Sequence, residues 1–435
     1  MTSARSALPT VAPVTDILAD LEWRGLVVQT TDRATLAAEL ARGPMTVYAG
    51  FDPTGESLHL GSLVPLFALR RFQLAGHAPI ALVGGATGFI GDPSGRSAER
   101  QLMSAEVIAA RVVRIAEQLQ RFLPDDSSRP SARVVDNLDW TKDLTVIDFL
   151  RDVGKHFPVG QMLGRESVSA RLADGGLSFT EFSYQLLQSL DFLELYRRFG
   201  CRLQAGGNDQ WGNITAGLDL IRRVERGVAH ALTFPLVTDS AGQKLGKSTG
   251  GGNVWLDPTM TSPYALYQFL LNVDDRDVGT YLRLLTFVGH EEVLALDHAT
   301  DRAPHERTAQ RRLAEEVVAL VHSPKHLDRV QAASAALFGG GDLTALDPDT
   351  LGAALAEASC VLVSEDRPFV DLLADALGLS RSEARRAVRE GGAYLNNVRV
   401  ADEGFVPQPA DWLHGQYLVL RRGKRSLGAA RRDLA

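Results

Sequence analysis

Apolar positions near the start of the chain follow two different spacings. Short apolar runs at 46–48 and 79–83 are bounded by Gly, Pro and polar residues, which is typical of buried strands. Segments 15–25, 33–42 and 63–75 place apolar residues three and four apart, which predicts amphipathic helices. A strand, a helix and a second strand in this order predict a βαβ unit with a parallel sheet.

The same alternation continues to about residue 237. It predicts helices at 104–122, 144–153 and 179–192, and strands at 133–135 and 201–205. The fold class that follows is α/β, with a doubly wound parallel sheet whose strands end in glycine-rich and polar loops. Ligands bind at that edge of such sheets.

Beyond residue 256 the pattern changes. Segments 264–271, 278–287 and 308–321 have helical spacing only, whereas 342–364 is loosely patterned after a run of three glycines. Further on, a helix at 368–377, a capping box from Ser380 to Glu383, a tight hairpin and a last strand predict a small α+β module. The predicted domains are 1–255, a helical domain at 256–345, a linker at 346–365 and the module at 366–435.

Composition and charge narrow the possible classes of protein. The chain has 435 residues, 45% of them hydrophobic and 23% charged, which fits two or three globular domains. Cys201 and Cys360 have no metal-binding spacing, and residues 1–14 lack a signal-peptide core, so we expect a cytoplasmic protein without a membrane segment. The net charge is −7, yet residues 366–435 carry 12 Lys and Arg against 9 Asp and Glu. This excess predicts a polyanionic partner for the terminal module.

Two separated stretches point to phosphate chemistry. The first strand turns through Gly50, Pro53 and Gly55 into a helical pattern, which presents free backbone N–H groups where His59 and Gly61 stand. The second stretch, Lys244 to Ser248, has two lysines three apart and is followed by three glycines. A mobile cationic loop of this kind can close on a triphosphate. Taken alone, the first stretch also fits an ordinary strand–turn–helix with a surface histidine.

A glycine-rich loop, Gly84 to Arg96, follows the second strand. It has neither the Gly-Lys-Ser/Thr ending of a Walker loop nor the spacing Gly-x-Gly-x-x-Gly. The loop therefore disfavours a dinucleotide oxidoreductase.

The two stretches resemble the signature motifs of class I aminoacyl-tRNA synthetases. His59-Leu60-Gly61-Ser62 is similar to their HIGH motif and Lys244 to Ser248 to their KMSKS loop, and the flanking residues from Tyr48 onwards resemble bacterial tyrosyl-tRNA synthetases. The resemblance implies a Rossmann-like catalytic domain, ATP as substrate with accompanying Mg²⁺ but no protein metal site, L-tyrosine and tRNA(Tyr) as the other substrates, and a homodimer. Ser62 and Gly246 depart from the usual motif residues.

The resemblance also implies roles for individual residues. Activation of the amino acid falls to Thr54, His59, Arg96, Arg100, Lys244, Lys247 and Ser248. ATP contacts fall to Gly50, Asp52, His59, Gly61, Asp209, Gln210 and Lys247. Tyrosine contacts fall to Tyr48 and Asp191 at the phenolic hydroxyl, Asp92, Tyr184 and Gln188 at the α-ammonium, and Gln204. Independently of the resemblance, Tyr184, Gln188 and Asp191 share nearly one face of a helix.

Arginines of the terminal module are candidates for RNA contacts. They are Arg381, Arg385, Arg386 and Arg389 on one predicted helix, and Arg421 and Arg422 beside Lys424 and Arg425 near the end. The module resembles a small RNA-binding domain found in a ribosomal small-subunit protein and in pseudouridine synthases.

Two alternatives remain open from the sequence. A tryptophanyl-tRNA synthetase would not need the Tyr48 and Asp191 pair or the terminal module. A catalytically silent RNA-binding paralogue is suggested by Ser62, but His59, Lys244 and Lys247 count against it.

Overall fold

The structure is a computed structural model, and it describes residues 16–92, 103–125, 129–164, 168, 176–240, 242, 244–245, 252–339, 341–423 and 426–433. The chain divides into two compact units. The first comprises the described residues of 1–257 and 274–309, and the second those of 258–273 and 310–435.

A six-stranded sheet forms the centre of the first unit. Its strands are β1 (Gln29–Thr30), β2 (Thr46–Phe51), β3 (Ala78–Val83), β4 (Arg133–Asp136), β5 (Cys201–Gly207) and β6 (His230–Phe234). Their spatial order is β1-β6-β5-β2-β3-β4, and every pair is parallel except β1 with β6. Because the chain runs outward from β2 to β3 and later returns to β5 on the other side, the strand order reverses between β2 and β5. A crevice for ligands forms at such a reversal.

Helices alternate with these strands and continue after them in the first unit. Their bounds are Ile17–Trp23, Arg33–Arg42, Leu63–Leu74, Ala105–Phe122, Leu138–Thr141, Val146–Asp148, Val159–Leu163, Phe179–Phe199, Trp211–Glu225, Asp275–Leu285 and His290–Arg302. The long helix Phe179–Phe199 begins at Ser178, whose hydroxyl accepts the N–H of Glu181, and ends at Gly200 with a left-handed φ of 61°. The helix is seven residues longer than the predicted 179–192.

One predicted helix takes a different form. Segment 144–153 contains only the short helix Val146–Asp148, followed by the π-helical turn Phe149–Val153. Val146, Ile147 and Leu150 stay exposed. Apolar spacing predicted a buried face there, but burial depends on what packs against the segment.

The second unit combines helices with a five-stranded sheet. The helices at this end of the chain are Pro263–Leu271, Thr308–Val321, Pro324–Gly339, Pro348–Ala356, Phe369–Leu377 and Arg381–Arg389. The strands are β7 (Ser359–Val363), β8 (Ala393–Leu395), β9 (Val398–Arg399), β10 (Tyr417–Arg422) and β11 (Ser426–Arg432). Their order is β7-β11-β10-β8-β9, with β7 parallel to β11 and the other pairs antiparallel.

The segment 346–365, expected to be a linker, is folded. Asp347 caps the helix Pro348–Ala356 by accepting the N–H of Thr350 at 3.0 Å, and strand β7 follows directly. The partner of β7 is β11, far away in sequence, so local patterning could not reveal this strand. The expected helical domain also divides differently, because Asp275–Leu285 and His290–Arg302 fall within the first unit.

Within the described ranges, no helix combines the length and the apolar character that crossing a membrane requires.

Candidate active site

A cavity of about 400 Å³ opens in the first unit, at the carboxyl ends of β2 and β5. Most of the residues predicted to bind substrates line it. They are Tyr48, Gly50, Asp52, Thr54, His59, Gly61, Asp92, Tyr184, Gln188, Asp191, Gln204, Gln210 and Lys244. The structure therefore brings together residues that are almost 200 positions apart in the sequence.

The most deeply buried end of the cavity holds Tyr48 and Asp191. Their exposed fractions are 1% and 2%, and the Tyr48 hydroxyl has no hydrogen-bond partner among the described residues. Burial raises the pKa of Asp191 to about 7, although hydrogen bonds from Asn137 and Trp140 oppose the rise. Burial, and then the nearby Asp191 charge, raise the pKa of Tyr48 well above 10.0. A buried hydroxyl and a buried carboxyl thus stand ready for one polar group of a ligand.

Asn137 and Trp140 hold Asp191 in place, and the sequence analysis missed both. Asn137 Nδ2 donates to Oδ2 of Asp191 and Trp140 Nε1 donates to Oδ1, each at 2.9 Å. Asn137 is fully buried, and its Oδ1 accepts the backbone N–H of Ala86 at 2.6 Å. The position of Asn137 directly after strand β4, at the ligand-binding edge of the sheet, was the signal that could have found it.

Carboxylates and amides surround the neighbouring part of the cavity. The Tyr184 hydroxyl donates to Oδ2 of Asp52 at 2.9 Å, and Gln210 Nε2 donates to Oδ2 of Asp92 at 2.5 Å. Burial, and then the Asp52 charge, raise the pKa of Tyr184 well above 10.0. The resemblance implies an ATP contact for Asp52. In the structure, Asp52 accepts a hydrogen bond from Tyr184, a residue for which the resemblance implies contact with the tyrosine ammonium. Negative charge collected here suits a cationic group of a ligand.

Gln188 and Gln204 also face this cavity. Each has a buried side-chain oxygen with no hydrogen-bond partner among the described residues. Burying such an acceptor costs free energy unless a ligand donates a hydrogen bond to it. Both positions therefore have capacity for substrate donors.

His59, Gly61 and Ser62 also line the cavity, and all three are partly exposed. His59 precedes the 3₁₀ turn Leu60–Ser62, and its backbone N–H donates to Oγ of Ser62 at 3.4 Å. A Cβ added at Gly61 would lie 3.0 Å from Cε1 of His59 and 3.4 Å from the carbonyl oxygen of Leu245. Glycine at position 61 therefore lets the His59 ring and the start of the lysine stretch approach the same backbone. Ser62 caps this turn, which gives it a structural role in place of the usual second histidine.

Several predicted residues are not among those lining the cavity. Asp209 lies in the 3₁₀ turn Asn208–Gln210, where burial, and then the Asp92 charge, raise its pKa while the charge of Lys244 opposes the rise. Arg96, Arg100, Lys247 and Ser248 lie outside the described residues.

Two models of known protein families match successive parts of the chain. A family model described as class I tRNA synthetases (W and Y) matches residues 40–339, well over half of the chain. A second model, for the C-terminal domain of tyrosine–tRNA ligases, matches residues 355–427.

The chain belongs to the class I tRNA synthetase family.

Sequence relatives narrow the membership to the tyrosine–tRNA ligases. The tyrosine–tRNA ligase of Nocardia farcinica is 55% identical over 425 residues, covering 96% of this chain and 99% of that protein. The tyrosine–tRNA ligase of Streptomyces avermitilis is 56% identical over 420 residues, with 96% and 99% covered. A tyrosine–tRNA ligase is an aminoacyl-tRNA ligase, and ATP is the substrate common to this enzyme family.

Solved structures agree with this family. A C-terminally truncated mitochondrial tyrosyl-tRNA synthetase from Aspergillus nidulans is 30% identical, with a TM-score of 0.68, covering 75% of this chain and 95% of that one. A tryptophanyl-tRNA synthetase from Encephalitozoon cuniculi is 14% identical, with a TM-score of 0.55 and coverage of 78% and 93%. At that identity, the second similarity concerns the fold alone.

The terminal module that the tyrosine–tRNA ligase model matches carries the candidate RNA contacts. On the helix Arg381–Arg389, Arg385 is exposed, while Arg381, Arg386 and Arg389 make surface ion pairs with Asp371, Glu390 and Glu403 respectively. Arg422 is half-buried, and Lys424 and Arg425 lie outside the described residues.

Arg421 differs from the expectation of an open RNA contact. It is 8% exposed, and its Nη1 donates to Oδ1 of Asn397 at 2.8 Å. Its side chain is held inside the module because β10 is a central strand, flanked by β8 and β11. Arg421, although it belongs to a basic cluster in the sequence, therefore packs inside the module.

No group of three or more His, Cys, Asp or Glu side chains suited to hold a metal ion occurs in the part of the chain that the structure describes.

Proposed function

We propose that the cavity activates L-tyrosine with ATP, forming tyrosyl-adenylate and pyrophosphate, and that the tyrosine then passes to the 3′ end of tRNA(Tyr). The observation that carries this proposal is the pair of Tyr48 and Asp191 at the closed end of the cavity. A buried hydroxyl and a buried carboxyl, with Asn137 and Trp140 donating to the latter, suit a phenolic hydroxyl better than a plain phenyl or indole ring.

Selectivity for tyrosine follows because a ligand without a hydroxyl group would leave Tyr48 and Asp191 without a hydrogen-bond partner from the ligand. The hydroxyl of a bound tyrosine can donate a hydrogen bond to Asp191 and accept one from the Tyr48 hydroxyl. Phenylalanine would leave both buried groups without these hydrogen bonds. Tyrosyl-tRNA synthetases are the standard example of discrimination by this effect. Asp92, Tyr184 and Gln188 then hold the α-ammonium, and Gln204 supplies a further acceptor.

Adenylate formation needs an in-line attack of the tyrosine carboxylate on the α-phosphorus, so positioning and charge stabilisation dominate. We assign phosphate contacts to Thr54 and His59, and stabilisation of the departing pyrophosphate to Lys244 with Lys247 and Ser248. Arg96 and Arg100 are also assigned to stabilise the negative charge of the departing pyrophosphate. ATP contacts are proposed for Gly50, Gly61, Gln210 and Asp209, and Mg²⁺ enters as the counter-ion of ATP.

Binding of tRNA is proposed for the terminal module, with Arg381, Arg385, Arg386, Arg389 and Arg422 facing phosphates. Of these, Arg385 is the strongest candidate because it is exposed and belongs to the most basic helix face of the module. We expect this enzyme to act in the cytoplasm, since the tyrosine–tRNA ligases that it resembles in sequence come from bacteria.

A homodimer is supported by where exposed apolar side chains accumulate. Among the described residues, 17 large apolar side chains are exposed, and six of them lie between positions 146 and 179. They are Val146, Ile147, Leu150, Val159, Leu163 and Phe179. Water-exposed apolar groups at this density are typical of a protein interface. We infer that a second copy of the chain covers these six side chains.

Amino-acid-dependent ATP–pyrophosphate exchange tests the proposed activity, with tyrosine, tryptophan and phenylalanine compared in parallel. Exchange with tyrosine is expected, and it should be lost in Asp191→Ala and in Lys247→Ala. Asp219→Ala, which removes only a surface partner of Arg222, is the control and should exchange normally. Exchange that prefers tryptophan, or its absence with all three amino acids in a folded protein that binds tRNA, would refute the proposal.

A further inference from the structure

A continuous series of side-chain hydrogen bonds joins Tyr184 to Asp191, and both residues line the cavity. The Tyr184 hydroxyl donates to one oxygen of Asp52, and the Thr87 hydroxyl donates to the other at 2.8 Å. Asn137 Nδ2 in turn donates to Thr87 Oγ1 at 3.1 Å and to Asp191 at 2.9 Å. Thr87 is thus the only side chain in this series that touches both the Asp52 side and the Asn137 side.

The direction of each bond in the series is determined by chemistry. As a carboxylate, Asp52 only accepts, so the single hydroxyl hydrogen of Thr87 points to it and the Thr87 oxygen accepts from Asn137. The backbone N–H of Ala86 occupies Oδ1 of Asn137 at 2.6 Å, which leaves the amide nitrogen for Thr87 and Asp191. Thr87 therefore favours the one orientation of Asn137 that donates to Asp191.

Packing leaves this series little freedom to rearrange. Thr87 is 3% exposed and Asn137 is fully buried. A Cβ built at Gly84 would overlap both Oδ1 of Asp52 and Oγ1 of Thr87, so the two oxygens lie directly against the backbone of strand β3's end. A glycine at position 84 is what permits the contact.

We propose that Thr87 is a positioning residue for amino-acid selection, because its hydroxyl links the carboxylate held by Tyr184 to the amide that aims Asp191 at the substrate hydroxyl. The inference rests on the proposed placement of tyrosine in this cavity. It implies that a change at Tyr184, at the ammonium end, alters discrimination at the hydroxyl end through Thr87.

The test compares kcat/KM for tyrosine and phenylalanine in ATP–pyrophosphate exchange. Thr87→Val removes the hydroxyl and keeps the shape, so the tyrosine-to-phenylalanine ratio should fall roughly tenfold, the effect of one hydrogen bond, mainly through KM for tyrosine. Thr87→Ser keeps the hydroxyl and should retain the ratio. Thr215→Val is the matched control, since the Thr215 hydroxyl bonds only to carbonyls of its own helix, and it should leave the ratio unchanged.

A double-mutant cycle with Tyr184→Phe isolates the link itself. Tyr184→Phe should lower the ratio in the wild-type background and have no further effect on it in Thr87→Val. Thr87→Ala takes the place of Thr87→Val in the cycle if the valine variant does not fold. An unchanged ratio in the hydroxyl-free variant, or an equal effect of Tyr184→Phe in both backgrounds, would overturn the link. A wild-type enzyme without preference for tyrosine would instead overturn the proposed function.

Discussion

Trp140 donates from Nε1 to Oδ1 of Asp191 at 2.9 Å, although the two residues belong to different helices, Leu138–Thr141 and Phe179–Phe199. The indole is 9% exposed, so water competes little for this bond. Since Trp140 and Asn137 only donate, Asp191 is favoured as a carboxylate and keeps acceptor capacity for a ligand hydroxyl.

The Asp191 carboxyl should make tyrosine binding pH-dependent. Its pKa is raised to about 7, and only the ionised form is a full acceptor, so KM for tyrosine should fall as pH rises through 7. Trp140→Phe removes one donor that favours ionisation, so the same fall should occur at higher pH. A pH profile of KM in pyrophosphate exchange measures both shifts. A flat wild-type profile between pH 6 and about 8 would contradict the assignment.

The stability of the folded protein should fall as pH rises, whereas its affinity for tyrosine should increase. The folded-state pKa of Asp191 lies above the ordinary aspartate value of 3.8, so the contribution of this carboxyl to stability is complete below about pH 4 and is lost as pH rises through 7. The loss is roughly 4 kcal/mol at most, since each unit of pKa corresponds to about 1.4 kcal/mol. Denaturant unfolding of the wild type and Asp191→Asn across this range gives the difference, because other titrating groups cancel. A difference that does not vary with pH would be incompatible with the raised pKa.

Tyr48→Phe should separate stability from selectivity. The buried Tyr48 hydroxyl has no partner among the described residues, so its removal should leave the free energy of unfolding unchanged or raise it by about 1 kcal/mol. The same variant should lose part of its preference for tyrosine over phenylalanine. Urea unfolding and pyrophosphate exchange check the two effects, and a strongly destabilised Tyr48→Phe protein would mean that the hydroxyl is already satisfied.

Gly61→Ala should impair ATP use more than tyrosine use. The added Cβ would press on the His59 ring at 3.0 Å, which must then move from the proposed phosphate site. We expect KM for ATP to rise by an order of magnitude or more while KM for tyrosine stays the same. Gly289→Ala, where no atom lies within 4 Å of the new Cβ, is the control. Equal effects on the two substrates would argue against a local role of Gly61.

Two arginines of the terminal module should respond differently to substitution. Arg385→Ala should weaken tRNA binding and reduce the salt dependence of the affinity by about one phosphate contact, without changing pyrophosphate exchange. Arg421→Ala should instead destabilise the module, because a buried hydrogen bond to Asn397 is lost. Binding isotherms at several salt concentrations, with the surface variant Arg33→Ala as control, distinguish the two. An unaltered salt slope in Arg385→Ala would remove this residue from the RNA contacts.

Some residues of the cavity could be predicted from the sequence and others could not. Tyr184, Gln188 and Asp191 were placed correctly on one helix facing the cavity, because a spacing of four and three is a local property of a helix. Asn137 and Trp140 were not found, since their contact with Asp191 spans about fifty positions and depends on how helices pack on the sheet.

The same limit explains the two differences in the second unit. Strand β7 forms only because β11 pairs with it, and Arg421 is buried only because β10 lies between two other strands. Both facts depend on strand order, which short-range patterns of charge and hydrophobicity do not contain.

The six exposed apolar side chains assigned to the homodimer interface should control the oligomeric state of the protein. Phe179 and Ile147 are 76% and 70% exposed, so Phe179→Asp and Ile147→Asp should convert a dimer to monomers by placing charge in an apolar interface. Val398→Asp, at an equally exposed position of the second unit, should not. Sedimentation velocity measures the change. A monomeric wild type, or a dimer that tolerates both substitutions, would exclude this interface.

Strand β11, inserted between β7 and β10, has a consequence for biosynthesis. The ribosome makes β7 long before β11, so β7, which contains the exposed Cys360 and Leu362, leaves the exit tunnel before its partner strand exists. The nascent module cannot complete its sheet until residues 426–432 have been translated. A chain that ended before residue 426 would contain all six strands of the first sheet but would leave β7 without its partner strand, which favours aggregation.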